Sequence, residues 1–133
     1  MQLAIRDAIV ADVNAAFILA YPTVPLVHKN APFDRNTPPE EWVEFEVKFM
    51  DAQQVGMNLV PRTRLKGFVY VSCWARSGTG SRRQIGIVDW FAAQLGYRTI
   101  GGAVLQAPQP THATAPTGWE VEMVKFYFYT APQ

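Results

Sequence analysis

Apolar residues return at every fourth position through the start of the chain, where Ile5, Ile9, Val13 and Phe17 align with Ala8, Ala16 and Ala20 beside them. Asp7, Asp12 and Asn14 fall elsewhere. This period predicts a helix over 2–20, because residues three and four apart share one helical face. Pro22 ends it, its ring removing a backbone donor. "TVPLVHK" (23–29) reads as a short strand that runs into "NAPFDRNTPPEE", a proline-rich turn region that suits no regular element. At 43–49 the period drops to two. Val43, Phe45, Val47 and Phe49 take one side and Glu44, Glu46 and Lys48 the other, the mark of a half-buried antiparallel strand.

The run "RLKGFVYVSCWA" (64–75) is apolar on both sides through its middle, which predicts a central strand covered above and below. The fourteen residues that connect it to the preceding strand, 50–63, make a longer link than hairpins use. From Arg82 to Leu95 the helical period returns, with Ile85, Val88, Phe91, Ala92 and Leu95 in one stripe and Gly96 placed for a left-handed cap. "RTIGGAVLQA" reads as a strand that Gly101 and Gly102 bend or bulge. A polar loop, "PQPTHATAPTG", precedes a closing strand at 119–130. Alternation slips there at Met123 and Val124, which predicts a bulge or a change in which face is covered. The expected fold is α+β in the order α-β-β-β-α-β-β, with two helices packed on one face of a mainly antiparallel or mixed sheet. The other face then carries Tyr70, Trp74, Trp119, Tyr127 and Tyr129, a patch that monomers rarely leave wet.

Length and composition narrow this picture. The 133 residues make one domain, 1–133, large enough to bury roughly two-thirds of its unfolded surface. Charged residues are 17% of the chain and hydrophobic ones 49%. The usual charged share is about 25%, so this surface is greasier than normal and expects a partner to cover part of it. A net charge of +1 makes no demand for nucleic acid, and duplex binding is not the expected primary role. The single cysteine, Cys73, excludes a disulfide scaffold and reads as a small buried residue. No apolar run is long enough for a membrane helix, and Arg6, Asp7 and Asp12 interrupt any signal-like start; the chain reads as soluble and made inside a cell.

Chemistry is sparse. "WARSGTGSRRQ" (74–84) places Gly78 and Gly80 before two arginines, yet no lysine followed by a hydroxyl residue completes a phosphate loop, and no dinucleotide fingerprint is present. "SRRQ" instead matches a capping box, Ser81 and Gln84 each serving the other's backbone amide. Arg82 and Arg83 sit against the helix dipole there, which points them toward an acidic partner or a nucleic-acid backbone as an interface. Arg62 and Arg64, with Lys66, form a second basic cluster, read either as a gatekeeping strand start or as an interface. His28 and His112 lack further ligands at a metal spacing, and no G-x-S-x-G elbow occurs. Glu44 and Glu46 are explained by strand alternation rather than by paired acid–base work. No catalytic residue, cofactor or metal site is expected, and Arg82, Arg83, Arg62, Arg64, Trp74 and Trp119 are the interface candidates.

Laid end to end, "IRDAIVADVNAAF", "GFVYVSCWARSGTGSRRQIGIVDWFAAQL", "GGAVLQAPQP" and "GWEVEMVKFYFYT" resemble the bacteriophage tail terminator family, small minor tail proteins similar to the terminator of phage lambda. The likeness is one of layout and covers almost the whole chain. It implies a virion protein rather than an enzyme: a homo-oligomeric ring, expected to be a hexamer, at the head-proximal end of the tail. Such a ring caps the tail tube protein, ends its polymerisation and offers a docking surface to the head–tail connector protein. It also implies assembly in the host cytoplasm, no membrane partner, and a lumen through which genomic DNA passes without sequence-specific binding. A neck or head-completion protein of related layout, or a small enzyme subunit with a cryptic site, are the alternatives. The loops at 50–63 and 107–118 are expected to meet the tube or connector, and the Arg82–Arg83 turn a neighbouring copy.

Overall fold

The structure, a computed structural model, describes residues 2–28, 39–50, 53–55, 62–78, 82–111 and 114–130; for 53–55, 62 and 63 it describes the backbone alone. Helix α1 spans Gln2–Ala20 and buries Ile5, Ile9, Val13 and Phe17, the stripe read from the sequence. Helix α2 spans Arg82–Leu95 and buries Gln84, Ile87, Val88, Phe91 and Leu95. Its buried stripe is therefore turned slightly from the expected one, and Ile85 is exposed. The helices meet through aromatic rings: Phe17 stacks on Phe91 at 5.5 Å, and Trp90 stands edge-on to Phe17 at 5.5 Å. A polar clamp reinforces them, Arg98 reaching both carboxylate oxygens of Asp12 at 3.1 Å while Gln94 donates to the same group.

Among the described residues nine strands follow one another as β1 (Leu26–His28), β2 (Glu41–Phe49), β3 (Gln53–Val55), β4 (Arg62–Arg64), β5 (Lys66–Arg76), β6 (Thr99–Ile100), β7 (Ala103–Leu105), β8 (Gln109–Thr111) and β9 (Trp119–Thr130). The main sheet runs β1-β2-β5-β9-β7-β6, with β8 also on β9. Among the described strands only β1 pairs parallel, to β2, so the sheet is mixed; β2, β5 and β9 form its long antiparallel centre. Both helical stripes join one cluster with Val43 and Phe45 of β2, Val69, Val71 and Cys73 of β5, and Val124, Phe126 and Phe128 of β9. The fold is α+β with two helices on one sheet face, as the periodicities require.

Several local readings change. The 50–63 connection contains an antiparallel ribbon, β3 on β4, which three-residue strands are too short to announce by period. Gly101 and Gly102 make the two-residue turn of a β6–β7 hairpin rather than a bulge, both with positive φ, 59° and 87°. Such a turn needs left-handed backbone at each central residue. A Cβ on Gly101 would also stand 2.5 Å from the Cβ of Ala8, so the hairpin tip tucks against α1 only as glycine. The left-handed residue after α2 is Tyr97, at φ 61°, and not Gly96. Gly96 is required for another reason: a Cβ there would sit 2.6 Å from the Ala92 carbonyl oxygen and 3.3 Å from Pro108. No bulge interrupts β9 where it pairs with β5, since the register runs unbroken from Lys66↔Tyr129 to Arg76↔Trp119. Met123 and Val124 are both buried because they face opposite sides of the sheet, so the change of covered face is the correct reading. The polar 108–118 loop contributes β8, whose Gln109–Thr111 pair with Lys125–Met123. Residues 30–38 of the proline-rich segment, together with Ser81 of the capping box and His112, lie outside the described residues.

Candidate functional site

Alternation sends every second residue of β2, β5 and β9 away from the helices, and the register stacks those residues into rows. Trp42, Trp74 and Val121 make one row; Glu44, Ser72 and Met123 the next; then Glu46, Tyr70 and Lys125; then Lys48, Phe68 and Tyr127. Lys66 with Tyr129 and Arg76 with Trp119 close the two ends. None of these side chains belongs to the cluster beneath the helices. The central strand is therefore covered by helices on one side only, in place of the cover above and below read from its apolar run. This second face is half-buried by its own side chains, and Trp42, Ser72 and Met123 are buried.

Tryptophans organise one end of the face. Trp42 and Trp74 stack at 5.5 Å with planes 2° apart, and Trp119 meets Trp42 edge-on at 4.8 Å. Each such contact is worth about 0.5–1.5 kcal/mol beyond the area it hides. The Arg76 guanidinium lies 4.7 Å from the Trp119 ring centre and 3.1 Å from Glu40. Trp74 Nε1 is buried with no hydrogen-bond partner among the described residues, whereas the Trp42 indole donates to Glu44 at 3.4 Å. In the middle, the Lys125 ammonium sits among Phe68, Tyr127 and Tyr70 at 4.5, 5.3 and 5.7 Å. Its cation is held by ring quadrupoles.

At the opposite end, the Arg64 guanidinium lies 5.3 Å from the Tyr129 ring centre, and its Nε is buried without an acceptor among the described residues. Lys66 stands beside it, so basic residues gather where β4 joins β5. Arg64, Trp74 and Trp119 thus share the second face. Arg62 pairs through its backbone with Val55 in the ribbon. Arg82 and Arg83 open α2, away from that face. Arg83 Nε reaches both Glu41 carboxylate oxygens at 2.8 Å and its guanidinium lies 5.9 Å from the Tyr21 ring centre, so an acid of the same chain answers the charge that looked misplaced at a helix start. Arg82 is exposed. Gln84 is buried in the first turn of α2 with its Oε1 lacking a partner among the described residues.

Two groups on the helix side, His28 and Cys73, are shifted toward their neutral forms. Burial, aided by the Arg6 charge, lowers the His28 pKa, while Asn14 Oδ1 lies 3.1 Å from its Nε2. Burial, with Glu122 nearby, pushes the Cys73 thiol up to about 12, which leaves no thiolate for nucleophilic work at neutral pH. Among the described residues no three metal-ligating side chains gather, and no helix is long and apolar enough to cross a membrane.

No family model matches the chain, and no curated protein does. Solved structures do. One, which carries no functional name, covers 100% of this chain and 96% of its own at a TM-score of 0.69. Its sequence is 18% identical, so the likeness establishes a shared fold and nothing about the second face. Sequence reasoning found Tyr70, Trp74, Trp119, Tyr127 and Tyr129 on that face. It missed Trp42, because the strand was started at 43, and it missed Lys125 as the cation at its centre. Extending the β2 alternation by one polar step, through Glu44 to Trp42, is the signal that finds the former.

Proposed function

We propose that this protein is a structural subunit of a bacteriophage tail, of the terminator kind: copies close into a ring that caps the tail tube, ends its growth and presents a docking surface to the head–tail connector. One observation carries the reading. The sheet has a second face, built from three tryptophans, three tyrosines and Phe68, on which no described helix packs. Outward residues of α1 add to the greasy surface, with Leu3 69%, Ile18 64% and Leu19 86% exposed. Both outer sides of the two-layer domain thus carry large apolar side chains among their polar ones, and ring contacts between unlike patches use two sides of each subunit. The layout of the sequence supports the same reading.

The test is to grow tubes from the tail tube protein of the same genome in the presence of this chain. Capped tubes of limited length with ring density at one end are the expected result. Tubes that lengthen without limit and end bare would contradict the proposal.

A further inference from the structure

Most charges of this chain answer one another. Among the described residues Arg6 pairs with Asp7, Arg76 with Glu40, Arg83 with Glu41 and Arg98 with Asp12, at 2.8 to 3.2 Å. Glu44 and Glu46 have interactions within the chain as well, and Lys125 is held by its three rings. Arg82 and Asp89, of opposite sign, both stand exposed on α2. The charges left over are sorted by side. Lys48, Arg64 and Lys66 gather at the Tyr129 end of the second sheet face, with no ion pair among the described residues. Glu120 and Glu122 lie on the opposite, helix side of β9, in the row continued by Val124 and Phe126, again with no ion pair among the described residues.

The two groups cannot meet within one copy. Lys66 precedes Cys73, the β5 partner of Glu122, by seven residues, a separation of roughly 23 Å at strand rise, and the sheet lies between them. Physiological salt screens exposed charges over about 8 Å.

Their spacings nevertheless match. Glu120 and Glu122 point to one side of a strand two residues apart, which sets them about 7 Å from each other. Arg64 and Lys66 are likewise two residues apart, and they wall one depression of about 350 Å³ together with Met50, Tyr127 and Tyr129. Arg64 is the more specific of the two: its guanidinium lies over Tyr129, and its Nε is buried with no acceptor among the described residues. A carboxylate is the acceptor whose paired oxygens match that planar fork.

We infer that the occupant of the Arg64–Lys66 depression is a second copy of this chain, which offers Glu120 and Glu122 from the helix side of its own β9. The inference deepens the ring reading and rests on it. Because the contact joins unlike sides, each subunit keeps one basic and one acidic patch open until a ring closes. The charges fix which patches meet and in what register, while Met50, Tyr127 and Tyr129 supply apolar area.

The experiment uses two charge-swapped full-length chains, one with Arg64→Glu and Lys66→Glu, the other with Glu120→Lys and Glu122→Lys. Light scattering follows the mass of each alone and of an equal mixture, with and without the tube protein, and thermal melts check folding. Each variant alone is expected to need roughly 10- to 100-fold more protein for half-assembly, and the mixture to recover most of the loss, because alternating variants present opposite charges at every contact. Should a swapped chain melt as unfolded, the neutral variants Lys66→Gln and Glu120→Gln serve instead, each expected to weaken the salt dependence of assembly; a salt dependence like that of wild type overturns the pairing. Variants that assemble like wild type, or a folded mixture that does not recover, overturn the pairing and leave the ring untouched. Recovery in particles of only two copies keeps the pairing and overturns the ring. A wild-type chain that stays single even with the tube protein overturns both.

Discussion

β2, β5 and β9 each show two faces built by the same alternation, and the faces have opposite fates. On the helix side, Val43, Phe45, Val69, Val71, Val124 and Phe126 are sealed beneath α1 and α2 with exposures of 1% or less. On the other side, tryptophans, tyrosines and charges shelter one another by stacking and cation–ring contacts. The lesson lies in residue type. Apart from Phe68, Val121 and Met123, the aliphatic and phenylalanine side chains of these strands lie on the helix side, where they have no polar tip to satisfy. Tryptophan and tyrosine, with Lys125, Arg64 and Arg76, stand on the face that no described helix covers, where a side chain that combines an apolar body with a polar end tolerates water.

Truncations sharpen that contrast most. Phe126→Ala removes a fully buried ring and is expected to destabilise the single copy by about 3–5 kcal/mol in a urea titration, since a core cavity adds to the lost transfer energy. A loss near zero would mean that the helix side is not the permanent core. Trp119→Ala, on the second face, is expected to cost the single copy only about 1–2 kcal/mol, the scale of its contacts with Trp42 and Arg76. Its larger effect falls on assembly, which sedimentation should show weakened at least about tenfold. Equal effects on folding and no effect on assembly would erase the distinction between the faces.

The smallest expected effect belongs to His28, on the helix side. Its pKa is lowered in the folded chain, so the unfolded chain binds the proton more readily. The stability that neutral His28 lends is complete above the ordinary imidazole value of 6.5 and is lost as pH falls from there through the lowered folded value. His28→Gln should flatten that part of the curve of stability against pH. An unchanged slope in the variant would assign the dependence to other groups.

Much of this arrangement was legible in the residues. Ile5, Ile9, Val13 and Phe17 announce α1 because four-residue spacing has one structural meaning, and Val43 to Phe49 announce β2 because strict alternation has another. The long strands in turn order the aromatic residues of the second face, which is why alternation alone assigns Trp74 and Trp119 to it. Short elements carry no such period. β3, β4 and β8 have three residues each, and their existence depends on the strand they meet. Parallel pairing of β1 with β2 is likewise a property of the partner, not of "LVH". The charged half of the site was least legible. Arg83 reads as a free cation until Glu41, forty-two residues earlier, closes on it.

The central claim is that the second sheet face is built to be covered by other copies. Light scattering on the wild-type chain across a wide concentration range, alone and with the tube protein, tests it most directly. Six copies of a 14.9 kDa chain make a particle of about 89 kDa, and the account predicts that mass on its own or once the tube is supplied. A mass that remains 14.9 kDa under every condition would contradict it.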